Sequence, residues 1–179
     1  MKRAVFLSAT LVVIGSSCPS INAGTDWTVY LHRAGPIRIG MSLAEVRRVL
    51  GDPGAYLNGD NPDVPLEACA YLESRAIPER LGFIFTNGRV VRVDVDDVNI
   101  RTASGGGLGD SEEKIKMLYP GRISVEAHHY LPETGHYLIY SAQTPAEREY
   151  GMVFETEDGK VISFRTGTQS AIALVEGCS

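Results

Sequence analysis

Residues 82–95 read GFIFTNGRVVRVDV, and this stretch predicts a β-hairpin. Its turn is Asn87-Gly88, the dipeptide that most strongly favours a two-residue hairpin turn because both positions tolerate positive φ. Beyond the turn, apolar residues alternate with charged ones, and the apolar ones are Val91, Val93 and Val95. Such alternation gives one buried and one solvated strand face, which is typical of an antiparallel sheet covered on one side.

A helix is predicted ahead of this hairpin, at residues 43–50. Ser42 and Glu45 have the spacing of a capping box, in which each side chain accepts a hydrogen bond from the backbone N–H of the other residue. The apolar positions have helical spacing and are Leu43, Val46, Val49 and Leu50. Gly51 and Pro53 are expected to end the helix.

The same order of features recurs later in the chain. When Gly40 is placed over Gly109, Ser42 falls on Ser111, and a second hairpin is predicted at residues 152–164. The apolar side of such a helix and the apolar face of such a sheet are buried by packing against each other. We therefore expect an α+β fold of two tandem helix-plus-antiparallel-sheet repeats, with the helices packed on one sheet face.

The expected division of the chain follows from this repeat. Residues 1–23 are predicted to be a signal peptide and residues 24–101 the first α+β repeat. Residues 102–107 (TASGGG) are a linker that is flexible by composition, and residues 108–179 form the second α+β repeat.

The N-terminus has the three parts of a secretory signal. Lys2 and Arg3 precede an apolar stretch at residues 4–14, and Ala23 offers a small residue for cleavage. A lipoprotein with Cys18 as the lipidated residue is the alternative. The third residue before Cys18 is a glycine, where lipid attachment motifs want a large aliphatic side chain, so export without lipid is favoured.

Signal cleavage would leave two of the three cysteines, Cys69 and Cys178. An even pair in an exported chain indicates a disulfide. The alternative is two buried free thiols.

The charge balance excludes one class of partner. The whole chain has 17 basic and 22 acidic residues and a net charge of −5, and removal of Lys2 and Arg3 leaves 15 against 22. An acidic domain is a poor candidate for nucleic acid, whose backbone requires clustered basic side chains. Past the signal there is no apolar run long enough for a transmembrane span.

The helix motif carries a family resemblance. Residues 39–46 (IGMSLAEV) and 50–53 (LGDP) resemble the opening of the SmpA/OmlA outer-membrane assembly lipoproteins and the two repeats of the secreted β-lactamase inhibitor proteins. Residues 119–121 (YPG), 135–138 (GHYL) and 175–178 (VEGC) resemble a set of uncharacterised bacterial secreted proteins. The resemblance implies a helix followed by an antiparallel sheet, present twice in the inhibitors. It maps no binding residue onto this chain.

Catalytic and metal-binding patterns are weak. His128 and His129 point to opposite faces of a strand and lack converging partners for zinc. Asp94, Asp96 and Asp97 lack the ligand order of a calcium loop, so a solvated strand face is favoured. We expect no catalytic, cofactor-binding or metal-binding residues, and a protein that is not an enzyme.

The aromatic residues of the second half suggest an interface instead. Tyr130, His136 and Tyr140 are the candidate partner-binding residues, because tyrosines on an exposed sheet favour protein contacts. The expected function is a periplasmic or secreted protein that binds a protein partner, as an enzyme inhibitor or immunity-type protein. One alternative is an envelope assembly or scaffold protein, favoured if Cys18 is lipidated. Another is a carbohydrate-binding module, for which Trp27 is the single tryptophan.

Overall fold

The computed structural model describes residues 26–59, 65 and 68–178. The predicted signal peptide at 1–23 and Cys18 therefore lie outside the described residues. None of the helices formed by the described part of the chain has the length and apolar character needed to cross a membrane.

Eleven strands and three short helices make up the described residues. In chain order they are β1 (Val29–Tyr30), β2 (Arg33–Ala34), β3 (Ile37–Arg38), α1 (Leu43–Leu50), β4 (Tyr56–Asn58), β5 (Ala70–Glu73), β6 (Leu81–Thr86), β7 (Arg89–Val95), α2 (Glu112–Leu118), β8 (Ile123–Ala127), β9 (Gly135–Ser141), β10 (Tyr150–Glu157), β11 (Lys160–Thr168) and α3 (Gln169–Ile172). The first three strands form a small antiparallel sheet, and the other eight form one sheet in the order β4-β5-β6-β7-β11-β10-β9-β8.

The expected α+β fold of two helix-plus-sheet repeats is wrong. The protein is mostly β, with 13% helix and 40% strand in two antiparallel sheets. The long strands β7 and β11 pair with each other over four residue pairs, from Val95–Phe164 to Arg92–Gly167. The pairing joins the group β4–β7 to the group β8–β11 and covers one edge strand of each. An uncovered edge strand can pair with other chains and lead to aggregation.

The correspondence between the halves is local. Ser42 and Ser111 are the N-caps of α1 and α2, and each forms an isolated bridge to the first residue of a long strand, Arg89 or Lys160. The predicted capping box at Ser42 is confirmed, since the side chains of Ser42 and Glu45 each accept a hydrogen bond from the backbone N–H of the other residue.

The main core lies on the sheet face that packs against α1 and α2, which we call the inner face. Val46 of α1 and Ile115 of α2 are fully buried there. The strand residues of this core include Phe83, Phe85, Val93, Phe154 and Phe164. On the opposite or outer face, Ile172 of α3 packs with Tyr137 and Val153 in a second, smaller cluster. The helices therefore lie on both faces of the sheet, whereas we expected them on one.

Residues 102–107, expected as a linker, form a hydrogen-bonded turn. The backbone N–H of Thr102 donates to the carbonyl of Gly106, and the N–H of Gly106 donates back to the Thr102 hydroxyl. The role of this segment as a domain boundary stays a prediction.

An ion-paired aspartate lies between this turn and α2. The Asp110 carboxylate accepts from Arg101 Nη1 at 2.6 Å and from Lys114 Nζ at 2.8 Å. Burial by itself raises the pKa of Asp110, but the hydrogen bonds from Lys114 and Arg101 outweigh it and hold the pKa below its usual range.

Candidate functional site

The C-terminal segment is attached to the sheet by hydrogen bonds, an apolar cluster and a disulfide. Residues 169–178, which we call the strap, follow β11 and lie across the outer face of the sheet. The strap begins with α3, whose N-cap Thr168 accepts a hydrogen bond from the N–H of Ala171. Ile172 then anchors it in the small outer-face cluster.

Two buried arginines hold the strap carbonyls. Arg92 on β7 and Arg165 on β11 are 6% and 5% exposed. Arg92 Nη1 donates to the carbonyl of Ala171 at 3.2 Å and to that of Leu174 at 2.8 Å. Arg165 Nε donates to the carbonyl of Ile172 at 2.7 Å. The last carbonyls of a helix have no hydrogen-bond donor within the helix. The two arginines donate to these carbonyls at the end of α3.

Each buried arginine has a carboxylate partner. Arg92 Nε lies 2.7 Å from Asp94 Oδ1, and Arg165 forms an ion pair with Glu155. Burial raises the pKa of Asp94, and the positive charges of Arg92 and Arg165 act against that rise. We expected Asp94 on a solvated strand face; its side chain is partly buried beside Arg92, with about a quarter of its surface exposed.

These groups line a polar cleft of about 390 Å³ between sheet and strap. Asp96 stands at its mouth, where partial burial raises the pKa of its carboxyl, Glu155 adds to the rise and Arg80 opposes it. The cleft holds cations and anions in comparable number. Two of these cations, Arg92 and Arg165, are bound to strap carbonyls.

A disulfide fixes the far end of the strap. Cys69 and Cys178 are bonded, with their Cα atoms 5.3 Å apart, which confirms the predicted pairing. The backbone N–H of Cys178 also donates to the Tyr71 hydroxyl at 3.0 Å. The strap is thus attached both to β11, from which it continues, and to the start of β5.

The strap presents an apolar surface to solvent. Leu174 is 57% exposed, although the segment that carries it is pinned on both sides. It borders an apolar pocket of about 170 Å³, which Ile84, Val91 and Ala171 also line.

Tyr130 contacts the strap at Glu176. Its ring is 56% exposed and its hydroxyl donates to the Glu176 carboxylate. This hydrogen bond to a carboxylate raises the pKa of the Tyr130 hydroxyl. We call Tyr130, Leu174, Glu176 and the apolar pocket the strap surface.

The structure does not bring the three predicted partner-binding residues together. Tyr130 lies at the strap, whereas His136 and Tyr140 are on the inner side of β9, in line with the fully buried Leu138. Tyr140 packs edge-on against Tyr119, with 5.2 Å between ring centroids. Their part in partner binding stays a prediction.

His136 belongs to a polar cluster that the sequence did not indicate. Its Nδ1 lies 2.7 Å from Glu112 Oε1, and the Thr156 hydroxyl donates to the same oxygen at 2.8 Å. Burial alone raises the pKa of Glu112. The hydrogen bonds from His136, Thr156 and Lys116 outweigh it and hold the pKa below its usual range. The cluster attaches α2 to β9 and β10.

The other sequence candidates have structural roles. His128 stacks on Tyr137 with 4.6 Å between ring centroids, and its Nδ1 accepts from the backbone N–H groups of Tyr130 and Leu131. Trp27 packs on Phe83 in the main core. Among residues 26–59, 65 and 68–178, no three His, Cys, Asp or Glu side chains are grouped so as to hold a metal ion.

Comparison with known protein families, with curated proteins and with solved structures gave no match. The resemblance to the inhibitor proteins and the assembly lipoproteins therefore stays a prediction from the helix motif.

Proposed function

We propose that this chain is an exported bacterial protein that binds a protein partner through the strap surface. The observation that carries the proposal is the exposed Leu174 on a segment pinned by a disulfide and two buried arginines. Its activity is binding and not catalysis.

Rigidity is what makes this surface suited to binding. Association must offset the lost freedom of side chains and loops, and a segment already fixed in its bound shape loses less. Binding energy concentrates in a few side chains that become buried in well-packed pockets, most often Trp, Tyr and Arg. Tyr130 is of this type, and Leu174 offers exposed apolar area beside an apolar pocket. An inhibitor or immunity-type protein is the form that a rigid presented segment fits best.

Export is supported by the same disulfide. Disulfides form and persist in the periplasm and outside the cell and are rare in the bacterial cytoplasm. The sequence of residues 1–23 supports the same location. An envelope assembly or scaffold protein is the alternative, and it is favoured if Cys18 is lipidated. Mass spectrometry of the mature N-terminus distinguishes the two, because an acylated Cys18 would favour the alternative.

The test compares two variants at apolar side chains of nearly equal fractional exposure, Leu174 at 57% and Val98 at 58%. Leu174→Asp changes the strap surface, and Val98→Asp changes a side chain that is 58% exposed after β7. The mature protein is immobilised and exposed to envelope extract and culture medium of its own bacterium. The captured protein is then purified, and its affinity for each variant is measured by calorimetry.

We expect Val98→Asp to bind like the wild type. Leu174→Asp should bind at least about tenfold more weakly, which corresponds to roughly 1.4 kcal/mol at a hot spot. Equal weakening by both variants would place the interface elsewhere. Failure of the wild type to retain any protein would reject the proposal.

A further inference from the structure

The loop between β8 and β9, residues 128–134, has one buried side chain. His128 is 6% exposed, whereas every other residue from 121 to 134 is half-buried or exposed. The His128 ring stacks on Tyr137 of β9, and a Cβ added at Gly135 would lie only 2.9 Å from the His128 Cβ. The imidazole therefore fixes this loop, which we call the β8–β9 loop, against the outer face of the sheet.

Two backbone groups of the β8–β9 loop use the imidazole as their acceptor. Nδ1 of His128 accepts a hydrogen bond from the N–H of Tyr130 at 3.2 Å and from the N–H of Leu131 at 3.3 Å. A ring nitrogen accepts hydrogen bonds only when it carries no proton. The closed loop therefore requires a neutral imidazole with its proton on Nε2, the atom that lies 3.5 Å from Glu155 Oε2.

The charged groups around His128 come from several neighbouring segments. Glu155 of β10 attracts an imidazolium, but it is already ion-paired with Arg165 of β11. Glu126 comes two residues before His128, so strand alternation places it on the same face. Glu176 of the strap accepts the hydroxyl of the loop tyrosine. These charges influence how readily the ring takes a proton. They do not change the consequence, because an imidazolium offers no acceptor in any ring orientation.

We propose that His128 is a pH-sensitive switch that holds Tyr130 in the strap surface at neutral pH and releases it in mild acid. Histidine is the side chain that changes its charge between about pH 5 and 8. Protonation removes the acceptor of the two loop amides, which then bond to water. Because the closed loop excludes the proton from Nδ1, falling pH favours the open loop. The proposal goes beyond the proposed function, since it concerns the protein alone and its test needs no partner.

Nuclear magnetic resonance of the mature protein labelled with ¹⁵N follows both events in one titration from about pH 8 to about pH 5. The ring nitrogens of His128 should show the Nε2–H form at the upper end and the imidazolium at the lower end. The amide protons of Tyr130 and Leu131 should move upfield with the same midpoint, because they lose their hydrogen bonds. Constant fluorescence of Trp27 checks that the main core stays folded.

A matched pair of variants separates His128 from every other titrating group. His128→Asn keeps an acceptor without a titratable ring, because an asparagine side chain accepts from the backbone N–H two residues further on. Its loop should therefore stay closed over the whole pH range. His129→Asn removes the adjacent, exposed histidine and should titrate like the wild type. Should His128→Asn not fold, the shared midpoint in the wild type and in His129→Asn still decides the question.

Amide hydrogen exchange measures the size of the effect. Each hydrogen bond contributes roughly a factor of two to ten. The protection factors of the Tyr130 and Leu131 amides should therefore fall by about tenfold across the titration in the wild type and stay constant in His128→Asn. The Ser141 amide, which donates to the Arg122 carbonyl at the other end of β8, is the internal control. Loop amides that keep their hydrogen bonds when His128 is protonated, a His128 ring still neutral at about pH 5, or a transition that persists in His128→Asn would overturn the proposal.

Discussion

Removal of the disulfide tests how the strap contributes to stability. The change is the double variant Cys69→Ser and Cys178→Ser, which leaves no thiol to form other bonds among the described residues. The strap keeps its hydrogen bonds from Arg92 and Arg165 and its anchor at Ile172. We therefore expect the strap to stay in place in the folded state. The main effect should be a gain of conformational entropy in the unfolded state.

The magnitude follows from the length of the closed loop. The two cysteines are 109 residues apart. In the chain-entropy model a loop of this size gives about 4.7 kcal/mol at 25 °C, and measured effects are typically about 2–4 kcal/mol. We expect the free energy of unfolding to fall by about 2–4 kcal/mol.

Urea denaturation followed by the fluorescence of Trp27 measures this loss. Trp27 is the single tryptophan and packs on Phe83, with 6.3 Å between ring centroids, so it reports on the main core. Wild-type protein in reductant is the control and should match the double variant. A loss under about 1 kcal/mol would mean that the unfolded chain is not constrained as the entropy model requires, and the reasoning would fail.

Two further predictions concern the helices and the acid limb of stability. Ile115→Ala should lower the free energy of unfolding by roughly 2–5 kcal/mol, Val46→Ala by somewhat less because fewer carbons are lost, and exposed Arg48→Ala by no more than about 0.5 kcal/mol. Ser42→Ala should lower the free energy of unfolding by about 1 kcal/mol, because the helix loses its N-cap. Denaturation curves in which Arg48→Ala lowers stability as much as Val46→Ala would refute the assignment of the buried helix face. Because the pKa of Asp110 is lowered in the folded state, its contribution is fully present above the ordinary carboxyl pKa and is lost as pH falls below that value and through the lowered pKa of the folded state. Asp110→Asn should therefore be less stable than wild type at neutral pH, and the difference should shrink in acid; denaturation in a pH series showing a constant difference would contradict this.

Local features were predictable because local chemistry determines them. The Asn87-Gly88 turn joins β6 to β7, and both residues have positive φ, at 52° and 70°. The capping box at Ser42 needs only residues within one helical turn. The disulfide is not local, since it joins residues 109 apart, but it followed from counting the cysteines of a chain predicted to be exported.

The helix stripe was predicted less well. Val46 is fully buried, but Val49 is 39% exposed, so the stripe is narrower than the apolar spacing indicated. Arg47 lies off the stripe, yet its Nε donates to the carbonyl of Ala55 at 2.7 Å. Contacts with residues beyond the helix decide both outcomes.

The union of the two four-strand groups could not be predicted from local pattern. Strands β7 and β11 are far apart in sequence, and nothing in either strand specifies its partner across that distance. The charged residues of β7 were expected in solvent, but Arg92 is buried because the strap covers the outer face. The predicted Cys69–Cys178 bond was the one indication that the C-terminal segment covers part of the sheet, because it holds Cys178 beside the start of β5.

The strap also couples the two groups of strands. Arg92 comes from β7 and Arg165 from β11, and these neighbouring strands form the junction of the sheet. Both guanidinium groups donate to carbonyls of the same short segment. If β7 and β11 separated, at least one buried cation would lose its carbonyl partner, and such a loss is expensive in a buried site. The position of Leu174 therefore depends on the pairing of β7 with β11. A change that separates these two strands would also alter the strap surface.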